Sequence, residues 1–566
     1  MAATKLSIII FGLAIWTRFT FLQISAADAT SYIGAVAEYY PTRTGRDGQI
    51  NTLANAENIV TIVKKASEYH ADIIVFPENG LAPGLPNYQT NRTHFLSYSS
   101  TIPDANTDTP CTNDSTLVSP AIRLMSCTAR SQSMYLMVNV VEMEDCTATG
   151  TKFRPCPNDG YFFYNTNVAF NRNGTIVSRY RKFNLFGEAG LNVTSTPDIS
   201  TFTTDFGVTF GHFICFDILF KTPTLSLINH YNITDILYPT HWFSELPYLT
   251  AVQAQSAWSY SNDVNLLASS YNNPATGSGG SGIFAGTSGQ LVSLWSENAT
   301  NTLLVAKVPK VINGKRSSIN SEATVTYVFS DKEISTLVDI RPVAQQALIT
   351  DILEPYTTRI LELTSGTTQT SMELCDRGLC CSFNISKTFN ANKINPSVSY
   401  YRYRIAVFNG VRTYSGIRSG GTQVCSIIAC TGDTVATCGR RFATSTTVVR
   451  PTTFHSIVIT GNFSTDSSMF QMPDSLTMNI LPLSTNEFTY AQDDIPDTSH
   501  TTITYTLNTE KNDLLTFAIY GRNFSTDGLP PTTSSSLFSI YRLSLIPYVI
   551  TIFFAGMTIL FSMHRS

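Results

Sequence analysis

The sequence predicts an α/β domain followed by a β-rich domain, and three observations support this fold class. Buried strand patterns alternate with amphipathic helix patterns in the N-terminal half, an order typical of sheets covered by helices. Beyond residue 310 the composition shifts toward Thr and Ser within short alternating strands. With 566 residues, the chain also exceeds the length that a single hydrophobic core usually organises.

The α/β pattern starts with a strand, a helix and a second strand. Residues 31–40 alternate as a strand, residues 51–70 place apolar side chains at helical spacing, and residues 71–76 form an apolar strand that Pro77 ends. Residues 85–160 contain one predicted strand and are otherwise expected to be loops. The same criteria predict helices near 222–231 and 249–262, and strands at 134–141, 161–170, 175–180, 208–214, 235–239, 264–269, 282–285 and 303–309.

The C-terminal part contains only strand patterns. These strands are predicted at 323–328, 399–408, 453–459, 475–483, 501–507 and 514–520. We therefore expect four parts in the chain: a signal peptide at 1–27, the α/β domain at 28–310, the β-rich domain at 311–530 and a C-terminal tail at 531–566.

The N-terminus has the layout of a secretory signal peptide. Lys5 precedes an apolar run at 6–16, and the small residues Ser25, Ala26 and Ala27 follow at the expected distance for cleavage. An uncleaved membrane anchor is the alternative, but the apolar run is short for a spanning helix. The pattern predicts that the chain enters the secretory pathway.

The C-terminal tail is also a targeting segment, and two interpretations compete. The apolar run at 543–563 is long enough to span a membrane as a helix, yet only three residues follow it. A lipid-anchor signal consists of small residues, a short polar spacer and a terminal apolar tail, and Ser534, Ser535 and Ser536 begin such an arrangement. We favour the lipid anchor because a spanning helix would have almost no basic cytoplasmic flank. Both interpretations predict a membrane-attached protein whose folded part faces outside the cell.

Glycosylation acceptors agree with a secreted route. The sequence contains nine Asn-x-Ser/Thr motifs, a density that suits an extracellular glycoprotein better than any single motif does. The acceptor residues are Asn91, Asn113, Asn173, Asn192, Asn232, Asn298, Asn384, Asn462 and Asn523.

The distribution of the 11 cysteines isolates one of them. Four lie between residues 111 and 156 and six between residues 375 and 438, so both groups are even and can form disulfides internally. Cys215 stands alone between the two groups, either as a reactive thiol or as a buried inert one. No Cys-x-x-Cys or His-Glu-x-x-His motif occurs, so we expect neither a metal nor another cofactor. A formal net charge of −4 gives no reason to expect nucleic acid as a partner.

Three ionisable residues follow the ends of predicted strands in the α/β domain: Glu78, Lys182 and Cys215. Taken singly, each has an ordinary interpretation, namely a solvated carboxylate, a surface ammonium and an inert thiol. Together they supply a general base, a cation and a nucleophile, because a carboxylate can take the thiol proton and an ammonium can stabilise an oxyanion. This combination predicts acyl transfer through a thioester.

The segments around these residues resemble the Glu-Lys-Cys motifs of the nitrilase superfamily. The matching stretches are Val-Phe-Pro-Glu78, Arg-Tyr-Arg-Lys182-Phe-Asn-Leu-Phe-Gly-Glu188 and Gly211-His-Phe-Ile-Cys215-Phe-Asp217. Further segments at 238–243, 251–258 and 280–285 are similar to the branch that contains vanins and biotinidases. The resemblance covers nearly the whole chain after the signal peptide.

The resemblance implies an α-β-β-α sandwich for the α/β domain and a role for each matching residue. Glu78 would be the general base and acid, Lys182 the oxyanion stabiliser and Cys215 the nucleophile. The backbone N–H of Phe216 would complete the oxyanion hole, and Glu188 would orient the lysine. Members of this branch also carry a signal peptide, glycans, a C-terminal β-rich domain and often a lipid anchor.

The leading functional hypothesis is an extracellular amidase whose partner is a small-molecule amide. The resemblance favours pantetheine, with pantothenate and cysteamine as products. Biotinyl-lysine is the alternative substrate, because both molecules carry a secondary amide on a flexible linker. A non-catalytic surface glycoprotein that keeps the fold is a further alternative. The sequence predicts no particular oligomeric state.

Overall fold

The structure is a computed structural model of this chain, and it describes residues 30–43, 47–83, 92–147, 155–318, 324–334, 348–496 and 498–533. The predicted signal peptide, the C-terminal tail from residue 534 onward with Ser534, Ser535 and Ser536, and the acceptor Asn91 lie outside the described residues. No helix within the described ranges is long and apolar enough to cross a membrane.

The N-terminal unit consists of strands and four helices over its described residues. In chain order they are β1 (Ser31–Glu38), α1 (Gly48–Glu68), β2 (Ile73–Val75), β3 (Ser99–Ser100), α2 (Pro120–Gln132), β4 (Tyr135–Asp145), β5 (Tyr161–Phe170), β6 (Ile176–Arg181), β7 (Thr201–Thr203), β8 (Thr209–His212), α3 (Thr224–Asn229), β9 (Asp235–Thr240), β10 (Glu245–Leu246), α4 (Ala251–Asn262), β11 (Asn265–Ser270), β12 (Ser281–Ala285), β13 (Gln290–Leu294), β14 (Thr302–Pro309), β15 (Val311–Ile312), β16 (Lys315–Arg316) and β17 (Val325–Val328).

The C-terminal unit is built from strands joined by loops and short 3₁₀ turns in the part of the chain that the structure describes. Its strands are β18 (Ile349–Thr350), β19 (Thr357–Ile360), β20 (Gly366–Asp376), β21 (Leu379–Phe389), β22 (Arg402–Tyr414), β23 (Arg418–Cys430), β24 (Thr452–Ser464), β25 (Met469–Thr477), β26 (Phe488–Asp494), β27 (His500–Leu507) and β28 (Leu514–Asn523). The first of them, β18, pairs with β10 of the N-terminal unit.

Two sheets pack face to face in the N-terminal unit. The first has the order β17-β14-β1-β2-β4-β5-β6, with β3 paired to β4, and the second has the order β13-β12-β11-β9-β8-β7. Val36 and Met137 of the first sheet share one buried cluster with Phe210, Leu237 and Leu267 of the second. The parallel strands β1, β2 and β4 lie at the centre of the first sheet, and β8, β9 and β11 run parallel in the second.

Helices cover the outer faces of both sheets. Ile59 and Ile62 of α1 and Met125 of α2 pack on Ile74 and Leu136 of the first sheet. Helix α4 covers the second sheet, and burial of its apolar side chains there is what holds it in place. The layers therefore run helix, sheet, sheet, helix, which confirms the α-β-β-α sandwich that the resemblance implied.

The C-terminal unit is an antiparallel β-sandwich. One sheet has the order β19-β22-β23-β28-β25 and the other the order β20-β21-β24-β27-β26. Ile427 and Phe517 of the first sheet pack against Phe383, Ile459 and Tyr505 of the second, and the Tyr505 and Phe517 rings stack with centroids 3.9 Å apart. The prediction of a β-rich C-terminal region is therefore confirmed.

The two units share a buried interface formed around α4. The outer face of the β19-β22-β23-β28-β25 sheet contributes Phe408, Val424 and Tyr520 to the same apolar cluster as Trp258 of α4. Gln253 of the helix donates a hydrogen bond to Pro247 O, 3.0 Å away, and a second one to a buried carboxylate on β25. Because α4 is covered by protein on both sides, its sequence lacks the polar stripe of a surface helix.

The structure corrects three element predictions. The strand predicted at 323–328 was assigned to the C-terminal domain, but Val325–Val328 pairs with β14 in the first sheet of the N-terminal unit. Residues 85–160, expected to be mostly loops, include helix α2, which begins with the Ser119 cap and Pro120 at its first position. The strand predicted at 475–483 is β25, which ends at Thr477. For the strand at 325–328, sequence alternation identified the strand correctly but gave no information about its partner.

Cysteine pairing follows the grouping in the sequence. Cys215 is the cysteine without a disulfide partner, as the parity of the two groups predicts. The disulfides are Cys111–Cys127, Cys146–Cys156, Cys375–Cys380, Cys381–Cys425 and Cys430–Cys438.

Candidate active site

Cys215 lies at a sharp turn just beyond β8. Its backbone is in the left-handed region, with φ of 47°, and it begins a short 3₁₀ turn over Cys215–Leu219. A non-glycine residue in this region is strained and persists only where its surroundings hold it. The Tyr238 hydroxyl donates a hydrogen bond of 2.8 Å to Cys215 O, which fixes the peptide group that follows the cysteine.

The Asp217 carboxylate holds the same turn from the other side. One of its oxygens accepts hydrogen bonds from Ile214 N at 3.0 Å and from the Tyr180 hydroxyl at 2.8 Å. The other accepts bonds from the backbone and side-chain nitrogens of Asn184 at 2.9 and 2.8 Å. Burial raises the pKa of Asp217 to about 6, although these donors favour its ionised form.

Glu78 lies just beyond β2, directly after Pro77, which prevents the strand from continuing. Its side chain is 2% exposed, and its two oxygens accept three hydrogen bonds. Oε1 is 2.6 Å from Lys182 Nζ and 2.7 Å from Asn165 Nδ2, and Oε2 is 2.9 Å from His241 N. Burial opposes ionisation, but the Lys182 ammonium outweighs it and holds the pKa of Glu78 below its usual value. Glu78 is therefore a carboxylate at neutral pH.

Lys182 directly follows β6, and its buried ammonium lies between two carboxylates. Nζ is 2.6 Å from Glu78 Oε1 and 3.1 and 3.3 Å from the two oxygens of Glu188. Burial disfavours the charged lysine, but Glu188 and Glu78 together raise its pKa well above the usual value. A buried ammonium is tolerated when it is paired and hydrogen-bonded in this way.

Asn165 connects the two glutamates, and the sequence analysis did not identify it. Its Nδ2 donates hydrogen bonds of 2.7 Å to Glu78 Oε1 and 2.7 Å to Glu188 Oε1. Its own Oδ1 accepts a bond of 2.7 Å from Asn139, whose Oδ1 accepts a bond from Asn79 N at 2.9 Å. The available signal was the occurrence of asparagines in core strands β4 and β5, since asparagine is rarely buried unless it is hydrogen-bonded.

The Cys215 side chain is 5% exposed and lies close enough to Glu78 for the two groups to interact. Burial raises the pKa of the Cys215 thiol well above its usual value, and the Glu78 charge adds to this shift while Lys182 opposes it. The resting site therefore holds a protonated thiol beside an ionised carboxylate. In this arrangement the carboxylate can act as a base toward the thiol.

The thiol is part of the lining of an apolar pocket between the two units. No Lys or Arg occurs among the described lining residues, and Glu245 is their one carboxylate. His241 is neutral, since burial lowers its pKa to about 4, and its ring stacks on Tyr271 at 4.0 Å. The lining residues are Phe186, Cys215, Phe216, Leu219, His241, Trp242, Phe243, Glu245, Leu249, Ile349, Tyr414 and Ser415.

Two family models match the chain, each within one unit. The carbon-nitrogen hydrolase model matches residues 45–307, and the vanin C-terminal domain model matches residues 346–527. Vanin-like protein 1 of Drosophila melanogaster is 34% identical over 89% of this chain and 88% of its own length. The chain belongs to the vanin family of carbon-nitrogen hydrolases. It is accordingly a hydrolase that acts on carbon–nitrogen bonds other than peptide bonds.

The chain is also similar to relatives named as a pantetheinase and a biotinidase. Pantetheinase of Bos taurus is 29% identical over 87% of this chain and 87% of its own length. Biotinidase of Homo sapiens is 30% identical over 71% of this chain and 73% of its own length. Both similarities agree with the recognition of the vanin and biotinidase branch from the motifs in the sequence.

The fold brings together the residues that the sequence analysis singled out. Glu78, Lys182 and Glu188 form one hydrogen-bonded cluster beside Cys215, and Phe216 lies next to Cys215 in the pocket lining. Their individual roles remain predictions. The described glycosylation acceptors are exposed, except that Asn192 and Asn523 are half-buried.

Proposed function

We propose that the protein is an amidase that cleaves pantetheine to pantothenate and cysteamine through a thioester on Cys215. The observation that carries this proposal is the buried Glu78–Lys182–Glu188 cluster beside a protonated thiol that lines an aromatic pocket. A nucleophile, a base and a cation in one water-poor site are the requirements of acyl transfer from an amide.

Acylation begins with the thiol proton. Glu78 takes it as the thiolate of Cys215 attacks the amide carbonyl carbon, and the carbonyl oxygen becomes an oxyanion. Lys182 Nζ and the backbone N–H of Phe216 stabilise that oxyanion. Glu78 then returns the proton to the amine nitrogen, the carbon–nitrogen bond breaks, and cysteamine leaves the acyl group on sulfur.

Deacylation uses the same carboxylate. Glu78 removes a proton from a water molecule that attacks the thioester carbon, and the second oxyanion occupies the same site as the first. The carbon–sulfur bond breaks, the thiolate regains the proton from Glu78, and the product is pantothenate. General-base catalysis of this kind contributes roughly 10²–10⁴ in rate, and one oxyanion donor about 10²–10³.

Substrate identity rests on two kinds of support. The described pocket lining contains no Lys or Arg and is largely aromatic, which suits an uncharged acyl group such as pantothenoyl. The similarity to pantetheinase extends over 87% of this chain, compared with 71% for human biotinidase. Biotinyl-lysine is the second candidate, because its biotinyl group is also uncharged and its amide is of the same type.

The test compares both substrates with one purified protein. Release of cysteamine from pantetheine and of biotin from biotinyl-lysine is measured for the wild type and for Cys215→Ala. We expect the wild type to cleave pantetheine with the higher kcat/KM and the variant to lose activity while its thermal unfolding midpoint stays within a few degrees. Faster cleavage of biotinyl-lysine would reverse the choice of substrate, and activity in the alanine variant would refute the nucleophile. Cleavage of neither substrate would favour a non-catalytic surface glycoprotein.

We further propose that the protein reaches the cell surface and is held there by a lipid anchor. Five disulfides form within the described residues, and most of the described glycosylation acceptors are exposed, as an extracellular glycoprotein requires. Treatment of expressing cells with a phosphatidylinositol-specific phospholipase should release the protein into the medium. Retention on the cells would favour a spanning C-terminal helix.

A further inference from the structure

Thr240 is the last residue of β9, the strand that runs beside β8 and the turn at Cys215. β8 and β9 are parallel, and His212 of β8 is paired with Leu237 of β9. Three residues further along both segments, Thr240 comes level with Cys215. We propose that the Thr240 hydroxyl donates a hydrogen bond to the Cys215 sulfur whenever that sulfur is a thiolate. The inference rests on the proposed role of Cys215 as the nucleophile.

This face of β9 is turned toward the cysteine. Tyr238 lies two residues before Thr240 and therefore on the same face of the strand, and its hydroxyl donates a hydrogen bond of 2.8 Å to Cys215 O. Burial raises the pKa of the Cys215 thiol, and the Thr240 hydroxyl is one of the neighbouring donors that oppose this shift. It can do so because it lies within hydrogen-bonding reach of the sulfur. The hydroxyl is therefore next to the atom that attacks the substrate.

The Thr240 hydroxyl has no full partner in the resting site. The residue is completely buried, and its Oγ1 makes no complete hydrogen bond with a described residue, although Cys215 and the Tyr238 hydroxyl are both near. A buried hydroxyl without a partner is costly, so such a group calls for an explanation. A neutral thiol is a weak acceptor, whereas an ionised acceptor forms strong hydrogen bonds. In the proposal, this hydroxyl gains its full partner only when the sulfur becomes charged during the reaction.

Hydrogen bonds on both sides hold Thr240 in place. Its carbonyl oxygen accepts a hydrogen bond of 2.9 Å from Tyr271 N, and Ser270 of β11 is its partner across the sheet. The next residue, His241, donates its backbone N–H to Glu78 Oε2 at 2.9 Å. Because a β-branched side chain has few χ1 rotamers, the fixed backbone also restricts the position of the hydroxyl oxygen. The donor therefore stays beside the sulfur throughout the reaction.

The sulfur carries negative charge at two points of the proposed cycle. In acylation, the thiol proton moves to Glu78, and an electron pair of the resulting thiolate forms the carbon–sulfur bond. In deacylation, that bond breaks and its electron pair returns to the sulfur before Glu78 gives the proton back. Thr240 keeps its own proton in both steps and stabilises the charge through a charge-assisted hydrogen bond, which is stronger than a neutral one. Loss of this bond should therefore slow both half-reactions.

The test compares Thr240→Val with Thr240→Ser in two assays. Valine keeps the shape of threonine without its hydroxyl, and serine keeps the hydroxyl. We expect Thr240→Val to lower kcat/KM for pantetheine by about tenfold or more, and to slow the alkylation of Cys215 by iodoacetamide at pH 8 by a similar factor. Thr240→Ser should stay within about threefold of the wild type in both assays. Thr501→Val is the control, because Thr501 is also a buried strand threonine whose hydroxyl has no described partner.

The alkylation assay separates this inference from the proposed function, because it needs no substrate. Unchanged alkylation in Thr240→Val, or equal losses in the valine and serine variants, would overturn the role of Thr240 while leaving the amidase intact. Failure of the wild type to cleave pantetheine would refute the proposed substrate, and the alkylation rates would still decide whether Thr240 stabilises the thiolate. The thermal unfolding midpoint of Thr240→Val should equal or exceed that of the wild type, because the variant removes an unsatisfied hydroxyl. A slower reaction then reports on the sulfur and not on folding.

Discussion

Removal of the buried ammonium by Lys182→Met should destabilise the protein in a pH-dependent way. Lys182 Nζ lies 2.6 Å from Glu78 and 3.1 Å from Glu188, distances at which each attraction is about 5–6 kcal/mol at an effective dielectric constant of 20. Desolvation of the three groups offsets most of that energy. Removal of one partner from a buried ion pair costs about 3–5 kcal/mol, because the remaining charges stay buried without compensation.

The sign of the pH dependence follows from the same contacts. In the wild type, Lys182 holds the pKa of Glu78 below its usual value against the effect of burial. Without the cation, burial and the mutual repulsion of the two carboxylates are opposed only by neutral hydrogen-bond donors, so the folded pKa of these carboxylates exceeds the unfolded one. Stability of Lys182→Met is then retained at low pH and lost as the pH rises through that raised pKa. The loss in thermal unfolding midpoint, about 3–8 °C, should be larger at pH 8 than at pH 5.

A second substitution provides the control. Lys182→Met/Glu188→Gln leaves Glu78 as the one carboxylate of the cluster, still hydrogen-bonded by Asn165 and His241 N. The double variant should regain roughly half of the lost stability at pH 8 and remain without amidase activity. The test measures the thermal unfolding midpoints of the wild type, the single variant and the double variant at pH 5 and pH 8. A deficit that is the same at both pH values, or a double variant less stable than the single one, would refute the electrostatic reasoning.

Other predictions concern further buried polar residues of the N-terminal unit. Burial raises the pKa of Glu38 to about 7, so its ionisation should cost about 3 kcal/mol of stability as the pH rises from 5 to 8, and Glu38→Gln should be more stable than the wild type at pH 8 alone. Asp217→Asn should lower kcat at least tenfold, because it disturbs the turn at Cys215, whereas Tyr180→Phe, which removes one of the Asp217 donors, should have a smaller effect. Asn165→Leu should lower the unfolding midpoint and kcat together, since it removes one hydrogen-bond donor from each of two buried carboxylates.

The sequence identified the three residues that the fold brings together, but not the groups that hold them. Glu78, Lys182 and Cys215 follow strand ends, and strand ends can be located from alternation and from breakers such as Pro77. Asn165 lies inside a strand, where its side chain could equally have faced solvent. Its role depends on which strand is its neighbour, and alternation carries no information on pairing.

Contacts between the two units also could not be predicted from the sequence. Tyr414 is far from Cys215 along the chain, and its hairpin has the same alternation as any other strand pair in the C-terminal unit. The same limitation explains the misplaced strand at Val325–Val328, whose partner β14 belongs to the first sheet. Helix α4 was predicted from the sequence near 249–262, although its burial on two sides removes the polar stripe of a surface helix.

The electrostatics of the site also bear on how a free thiol persists in a protein with five disulfides. Thiolates exchange with disulfides and oxidise more readily than thiols, so a cysteine that stays protonated at rest is less exposed to both reactions. Here burial and Glu78 raise the pKa of Cys215, and its side chain is 5% exposed. In the proposed mechanism the thiol gives its proton to Glu78 only as the sulfur attacks an amide carbonyl. The same arrangement that protects the cysteine therefore makes its reactivity depend on the substrate.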